Sequence, residues 1–274
     1  MADASPLICK ELESVCVVDK EGRDRNLSSA LARGLPTAQK LPARTGRLAI
    51  VAAGPSVRDH LEELRSWPGE VWAINGAYDY LLDQGIVPHG FFAIDPLPEL
   101  AEYVQRPHPE TTFYIASTAD PAVFDALKDA RVLTFHPYSD DVGYPEGFGT
   151  IGGGTTSVTR APYLGLLQGW RDITLFGVDS SYDGQEYCYP WGRYSTDIAN
   201  PKMWVDLYDG GPRYQTEVGL LKQVSQLAVL APLFNGMLKF KCGGLMQDFL
   251  DQPARDDIPL EVEKKDERNA DADQ

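Results

Sequence analysis

The sequence has no run of roughly 18 or more apolar residues, so no segment is long and apolar enough to span a bilayer as a helix. Met1 to Lys10 lacks the charged-then-apolar pattern of a secretory signal, and a cytoplasmic location is expected. Cysteine is scarce: Cys9, Cys16, Cys188 and Cys242 are scattered, and none stands at metal-ligand spacing from another. A chain of 274 residues can bury a sizeable core without disulfides, so free thiols are expected. Basic surplus is missing too: 25 Lys and Arg face 40 Asp and Glu, a formal net charge of −15. That argues against a surface that coats DNA or RNA, which needs a basic stripe. It leaves room for a small anionic ligand, because backbone amides can bind one inside an acidic protein. Neither the Gly-Lys-Ser/Thr ending of a Walker loop nor the Gly-x-Gly-x-x-Gly dinucleotide fingerprint occurs. A Ser/His/Asp triad motif and a Cys/His metal constellation are likewise missing.

What is present reads as one α/β domain. The apolar fraction of 43% and aromatic fraction of 10% are ordinary for a globular protein. Residues 1–46 form a lead-in, with a short helix within 26–36 that ends before Gly34 and Pro36. From Leu48 the pattern becomes regular. A continuous apolar run at 48–52 and strand-like segments at 71–74, 90–94, 112–116, 131–135 and 173–178 alternate with helix-sized segments, and 237–240 suggests a last strand. Continuous apolar runs fit parallel strands buried on both faces, so a Rossmann-like, mostly parallel sheet with helices on both sides is expected over 47–250. Val57 to Ser66 carries helical spacing, Pro162 should delay or kink the helix ending near Leu167, and Thr216 suits a cap for the helix that follows it. The polar and aromatic stretch 180–214 is too long for an ordinary connection and is expected to be a lid-like insertion. Its aromatic cluster, Tyr182, Tyr187, Tyr189, Trp191, Tyr194, Trp204 and Tyr208, suits either a surface for stacking on a base or sugar or the core of that lid. Residues 251–274 are mostly polar or charged and contain no aromatic, so a disordered acidic tail is expected.

In such a sheet, ligands bind beyond the carboxyl ends of the strands, near a switch in strand order. That rule selects Gly54, Asn75, Asp95, His136 and Asp179, which all stand at strand ends. Gly54, Pro55 and Ser56 open a helix after a strand, where tight backbone, exposed amides and a hydroxyl favour an anion; an ordinary turn is the plainer alternative. Gly153, Gly154, Thr155 and Thr156 resemble a second anion cradle, against the alternative of a flexible hinge. Asp95 and Asp179 could hold Mg²⁺ or a ligand hydroxyl, or could cap loop amides. His136 is a candidate acid or base, against a purely structural role.

Taken in order, Ile50-Val51-Ala52-Ala53-Gly54-Pro55-Ser56, Ala73-Ile74-Asn75-Gly76-Ala77, Phe92-Ala93-Ile94-Asp95-Pro96 and Ile173-Thr174-Leu175-Phe176-Gly177-Val178-Asp179 resemble the family named for the archaeal 6-hydroxymethylpterin diphosphokinase, the MptE-like domain. Leu81 to Pro88 and Gly154 to Ala161 belong to the same resemblance. Pro88-His89 stands where the family pattern often has Pro-Asp. The Gly-Pro-Ser and Gly-Val-Asp signatures also resemble bacterial sialyltransferases and the flagellin-modifying motility accessory factors. The resemblance implies a nucleotide-binding transferase that moves diphosphate from ATP to a small hydroxylated acceptor, with Mg²⁺ on Asp95 and Asp179. It implies, as alternatives, a glycosyltransferase using a nucleotide-activated sugar or a non-catalytic binding or assembly protein. The oligomeric state is left open.

Overall fold

A computed structural model describes residues 18–183, 202–208 and 210–252. The chain opens with α1 (Lys20–Ala32), followed by β1 (Arg47–Val51), a 3-10 turn (Pro55–His60) that runs into α2 (Leu61–Arg65), and β2 (Gly69–Ile74). Then come α3 (Ala77–Asp83), β3 (Gly90–Ala93), a second 3-10 turn (Pro98–Val104), β4 (Thr112–Ala116), α4 (Pro121–Ala126) and β5 (Arg131–Pro137). The later elements are β6 (Thr150–Ile151), α5 (Ser157–Leu167), β7 (Ile173–Phe176), β8 (Met203–Asp206), β9 (Arg213–Thr216), α6 (Val218–Leu230), β10 (Leu238–Lys241) and α7 (Gly244–Leu250).

Eight strands form one sheet in the order β10-β7-β1-β2-β3-β4-β5-β6, and every pairing in it is parallel. The chain builds outward from β1 to β6, then returns to place β7 and β10 on the other side of β1. The reversal lies between β1 and β7, which is where a crevice opens in doubly wound sheets.

The period of two along each strand divides the core. Leu48 and Ile50 face one side with Trp72, Phe92 and Phe135, under α5, α6 and α7. Ala49 and Val51 face the other with Phe91, Phe113 and Ile115, under α2, α3 and α4. The rings interlock: Phe92 stacks on Phe135 with centroids 5.0 Å apart, and Phe91 meets Tyr78 edge to face. Each such fully buried side chain contributes about 2 kcal/mol, which is why the apolar runs in the sequence became strands and not surface.

Several expectations are corrected in detail. The first helix after β1 begins as a 3-10 turn at Pro55, where a fixed φ and a missing N–H suit a first helical position. The helix of α5 continues through Pro162. Thr216 does not cap α6; its hydroxyl donates to Ser180 O at 2.8 Å, and Glu217 takes the cap position without a side-chain hydrogen bond. The described part of 180–214 includes an antiparallel ribbon, β8–β9, which the sequence reading missed. Tyr187, Tyr189, Trp191 and Tyr194 of the aromatic cluster lie outside the described residues, as do Cys9, Cys16, Cys188 and residues 253–274. Cys242 is a buried free thiol, pushed up to about 12 by burial. No helix among the described residues is long and apolar enough to cross a membrane.

Candidate functional site

A cleft of about 620 Å³ opens at the carboxyl ends of the central strands. Gly54 after β1, Asn75 after β2, Asp95 after β3 and Asp179 after β7 all line it. Thr155 and Thr156, from the loop before α5, line it as well. After β5 the chain leaves the sheet over 138–149 and comes back as β6, pairing Thr150 with His136 and Ile151 with Pro137. The Gly-rich loop therefore starts on the same rim.

The turn after β1 is occupied by the protein itself. Ser56 donates to Asp179 through its amide (2.7 Å) and its hydroxyl (2.5 Å), and Gly243 N–H donates to the same carboxylate at 2.9 Å. Asp179 is the anion that this helix-opening turn attracts. Its side chain holds β1, β7 and the start of α7 together, and both its oxygens are committed. The glycine at position 54 is explained by the same joint. Its φ of −70° is open to any residue, but an added Cβ would stand 2.3 Å from Gly177 O and 2.8 Å from the Asp179 carboxyl carbon. Gly54 is small because two loops touch there. Pro55 and Ser56 are not among the residues lining the cleft.

The Gly-rich loop is also internally satisfied. Gly154 has φ +73°, the left-handed region that favours glycine, and a Cβ on it would strike Gln226 and Thr159. Thr155 N–H donates to Gln226 Oε1 at 3.0 Å, and Thr156 forms a reciprocal capping box with Thr159 at the start of α5. Gly153 and Gly154 shape this turn from behind, and Thr155 to Val158 face the cleft.

Three polar groups keep capacity for a ligand. Asn75 adopts φ +48°, uncommon for a residue with a side chain, and its Oδ1 is buried without a partner. Asp95 receives Leu97 N–H on one oxygen at 3.0 Å, leaving the other open, and burial raises its carboxyl above the usual range. Arg160, the one charged residue in α5, lines the cleft and donates only to backbone carbonyls. Glu217 and Gln223 join from α6; burial raises the Glu217 carboxyl, which accepts from Tyr182 Oη at 3.3 Å. Sequence reasoning missed Arg160, Glu217 and Gln223. A lone charge in an otherwise uncharged helix was the available signal for Arg160.

His136 lies within β5 and is 2% exposed, between Tyr144 and Phe148, with Nδ1 2.8 Å from Ser117 Oγ. Burial lowers its basicity, and it is not among the residues lining the cleft. It is not placed to exchange a proton with a ligand there. Among the described residues no group of three His, Cys, Asp or Glu side chains is arranged to hold a metal ion. With Asp179 committed, the cleft carboxylates that keep an oxygen open to a cation among the described residues are Asp95 and Glu217.

A parallel, doubly wound sheet whose strand-end residues meet in one cleft at the β1/β7 reversal defines a Rossmann-like α/β protein. The model of the 6-hydroxymethylpterin diphosphokinase MptE-like family matches residues 25–185, more than half of the chain, and the chain belongs to that family. Membership supports a transferase-type function. No curated protein matches it. Among solved structures, the MAf glycosyltransferase from Magnetospirillum magneticum AMB-1 shares the fold, with a TM-score of 0.63 over 84% of this chain at 16% identity. The chain spans 38% of that protein's length.

Proposed function

We propose that the cleft binds a phosphate-bearing donor and that the chain transfers diphosphate from ATP to a small hydroxylated acceptor. The observation that carries this reading is the convergence of Gly54, Asn75, Asp95, Thr155, Thr156 and Asp179 on one cleft of about 620 Å³, ample for a nucleotide. Family membership supports the diphosphokinase form of it. In that reaction the acceptor oxygen attacks the β-phosphorus of ATP. The bond from that phosphorus to the α,β-bridging oxygen breaks, AMP leaves with the electron pair, and the hydroxyl proton passes to water. Such transfers depend on positioning and charge stabilisation more than on a strong base, which suits a cleft that His136 does not enter. Asn75 Oδ1 would accept from a ligand hydroxyl or amine. Asp95 would hold Mg²⁺, which when bound would supply charge neutralisation at the phosphate oxygens.

The second reading is a glycosyltransferase using a nucleotide-activated sugar, favoured by the likeness in fold to the MAf glycosyltransferase over 84% of the chain. A thermal-shift panel separates the two. Selective stabilisation by ATP with Mg²⁺, and AMP release when a hydroxymethylpterin is added, support the first. Selective stabilisation by CMP, CDP or UDP supports the second. A protein that no nucleotide stabilises is a binding or assembly protein on this fold, and both transferase readings fall.

A further inference from the structure

At the two places that the sequence marks as anion cradles, the hydroxyl of Ser56 and the amides of Ser56, Thr155 and Thr156 are already engaged. The amide and hydroxyl of Ser56 are spent on Asp179, and the Thr155 and Thr156 amides on Gln226 and Thr159. A full positive charge to meet an anionic ligand comes from elsewhere in the cleft. Two arginines line it. Arg23 is already paired, through Nη2, with Asp141. Arg160 is not: Nε donates to Gly154 O (2.8 Å), Nη1 to Ile151 O (3.3 Å) and Nη2 to Tyr138 O (2.9 Å), and among the described residues no carboxylate pairs with it.

Carbonyl oxygens satisfy three N–H groups but not the positive charge, and two of the five guanidinium donors remain. Burial lowers the basicity of this guanidinium. Its place adds to the cost, because Arg160 stands in the opening turns of α5, where the helix dipole disfavours a cation. A partly buried guanidinium at the wrong end of a helix, in a chain of net charge −15 that could readily have supplied a carboxylate, is suited to a charge that arrives with the ligand. Its three bonds also hold the fork in a fixed direction, gripping the loop after β5, β6 and the Gly-rich loop at once. Such a fork matches the oxygens of a phosphate group.

We infer that Arg160 is the phosphate-binding residue of the cleft, and that the phosphate groups of the ligand lie beside α5 and not on the Gly54–Ser56 turn. The inference deepens the proposed function, since it names the group that holds the donor's phosphates.

The test is calorimetric titration of inorganic diphosphate into the full chain, into Arg160→Gln and into Arg160→Lys, at several salt concentrations. Circular dichroism and melting temperature serve as controls for folding. The wild-type chain should bind diphosphate, and the Gln variant should bind about tenfold or more weakly. The Lys variant, which keeps the charge but not the fork, should fall between the two and keep the wild type's steeper salt dependence. Failure of millimolar diphosphate to bind the wild type, or equal binding by wild type and Gln variant, overturns the inference. So does a Lys variant as impaired as Gln with a matching drop in melting temperature, because Arg160 is then only a strut of the loop. Diphosphate binding that depends on Arg160 in a protein that no nucleotide stabilises upholds the inference while removing the proposed function.

Discussion

The two sides of the cleft solve the same problem in opposite ways. On the β1/β7 side, a helix-opening turn that attracts an anion is given one by the chain: Asp179 takes the Ser56 amide and hydroxyl and the Gly243 amide. On the β5/α5 side, the backbone is capped by neutral partners and a cation, Arg160, has no carboxylate partner among the described residues. One side is closed on itself and serves as a joint between strands. The other is electrostatically incomplete among the described residues and is the side we propose serves the ligand. Proximity to the switch in strand order therefore locates the cleft without identifying which of its walls does the binding.

The contrast is open to attack where it is strongest. Gly54→Val drives a side chain into Gly177 O, which would stand 2.3 Å from the new Cβ. A backbone atom cannot swing aside, so a loss of roughly 3 kcal/mol or more in urea denaturation is expected. Near-wild-type stability with lost ligand binding would instead make this turn a binding surface. Asp179→Asn replaces one acceptor oxygen by a donor facing N–H or O–H groups, and about 2 kcal/mol should be lost. If that variant folds with full stability and only ligand binding falls, Asp179 belongs to the open side and the comparison collapses.

Asn75 sits between the two walls. Asn75→Gly relieves a side chain held at φ +48° and removes the partnerless Oδ1, so a gain of up to about 1 kcal/mol in stability is expected, with weaker ligand binding. A drop in both would show that Asn75 is a structural turn residue. The smallest effect concerns Asp95, whose carboxyl is raised by burial above its ordinary value of 3.8. The folded state holds that proton more tightly than the unfolded chain does. The associated stability is therefore full below pH 3.8 and is lost as the pH rises through the folded value. Asp95→Asn keeps an acceptor for Leu97 N–H and cannot ionise, so it should melt above wild type at pH 7, the gap closing as the pH approaches 3.8. An equal gap at all pH values would remove the ionisation from the explanation.

Much of the frame is legible in the residues because parallel strands buried on both faces must be mostly apolar, as Leu48 to Ala52 and Phe91 to Ala93 are throughout. Strand-end residues were legible for the same reason, since a parallel sheet puts all carboxyl ends on one edge. The partners of those residues were not legible. Asp179 and Ser56 are 123 positions apart, and only the fold shows that each saturates the other. Gly54 was marked as a position where the backbone must approach a neighbour closely, and the neighbours an added Cβ would meet are Gly177 O and the Asp179 carboxyl, which only the fold shows. His136 looked available at the end of an apolar run, yet β5 continues through Pro137 and encloses it. Arg160 carried no motif; its meaning lies in the carboxylate it lacks, a property of the assembled cleft.

The most direct test is the crystal structure of the chain soaked with ATP and Mg²⁺, or with CDP if the thermal panel favours it. The account predicts phosphate density in the cleft beside Arg160 and the start of α5, with Asp179 still bound to Ser56 and Gly243. Phosphates seated on the Gly54–Ser56 turn with the Asp179 side chain displaced, or a nucleotide bound away from this cleft, would contradict it.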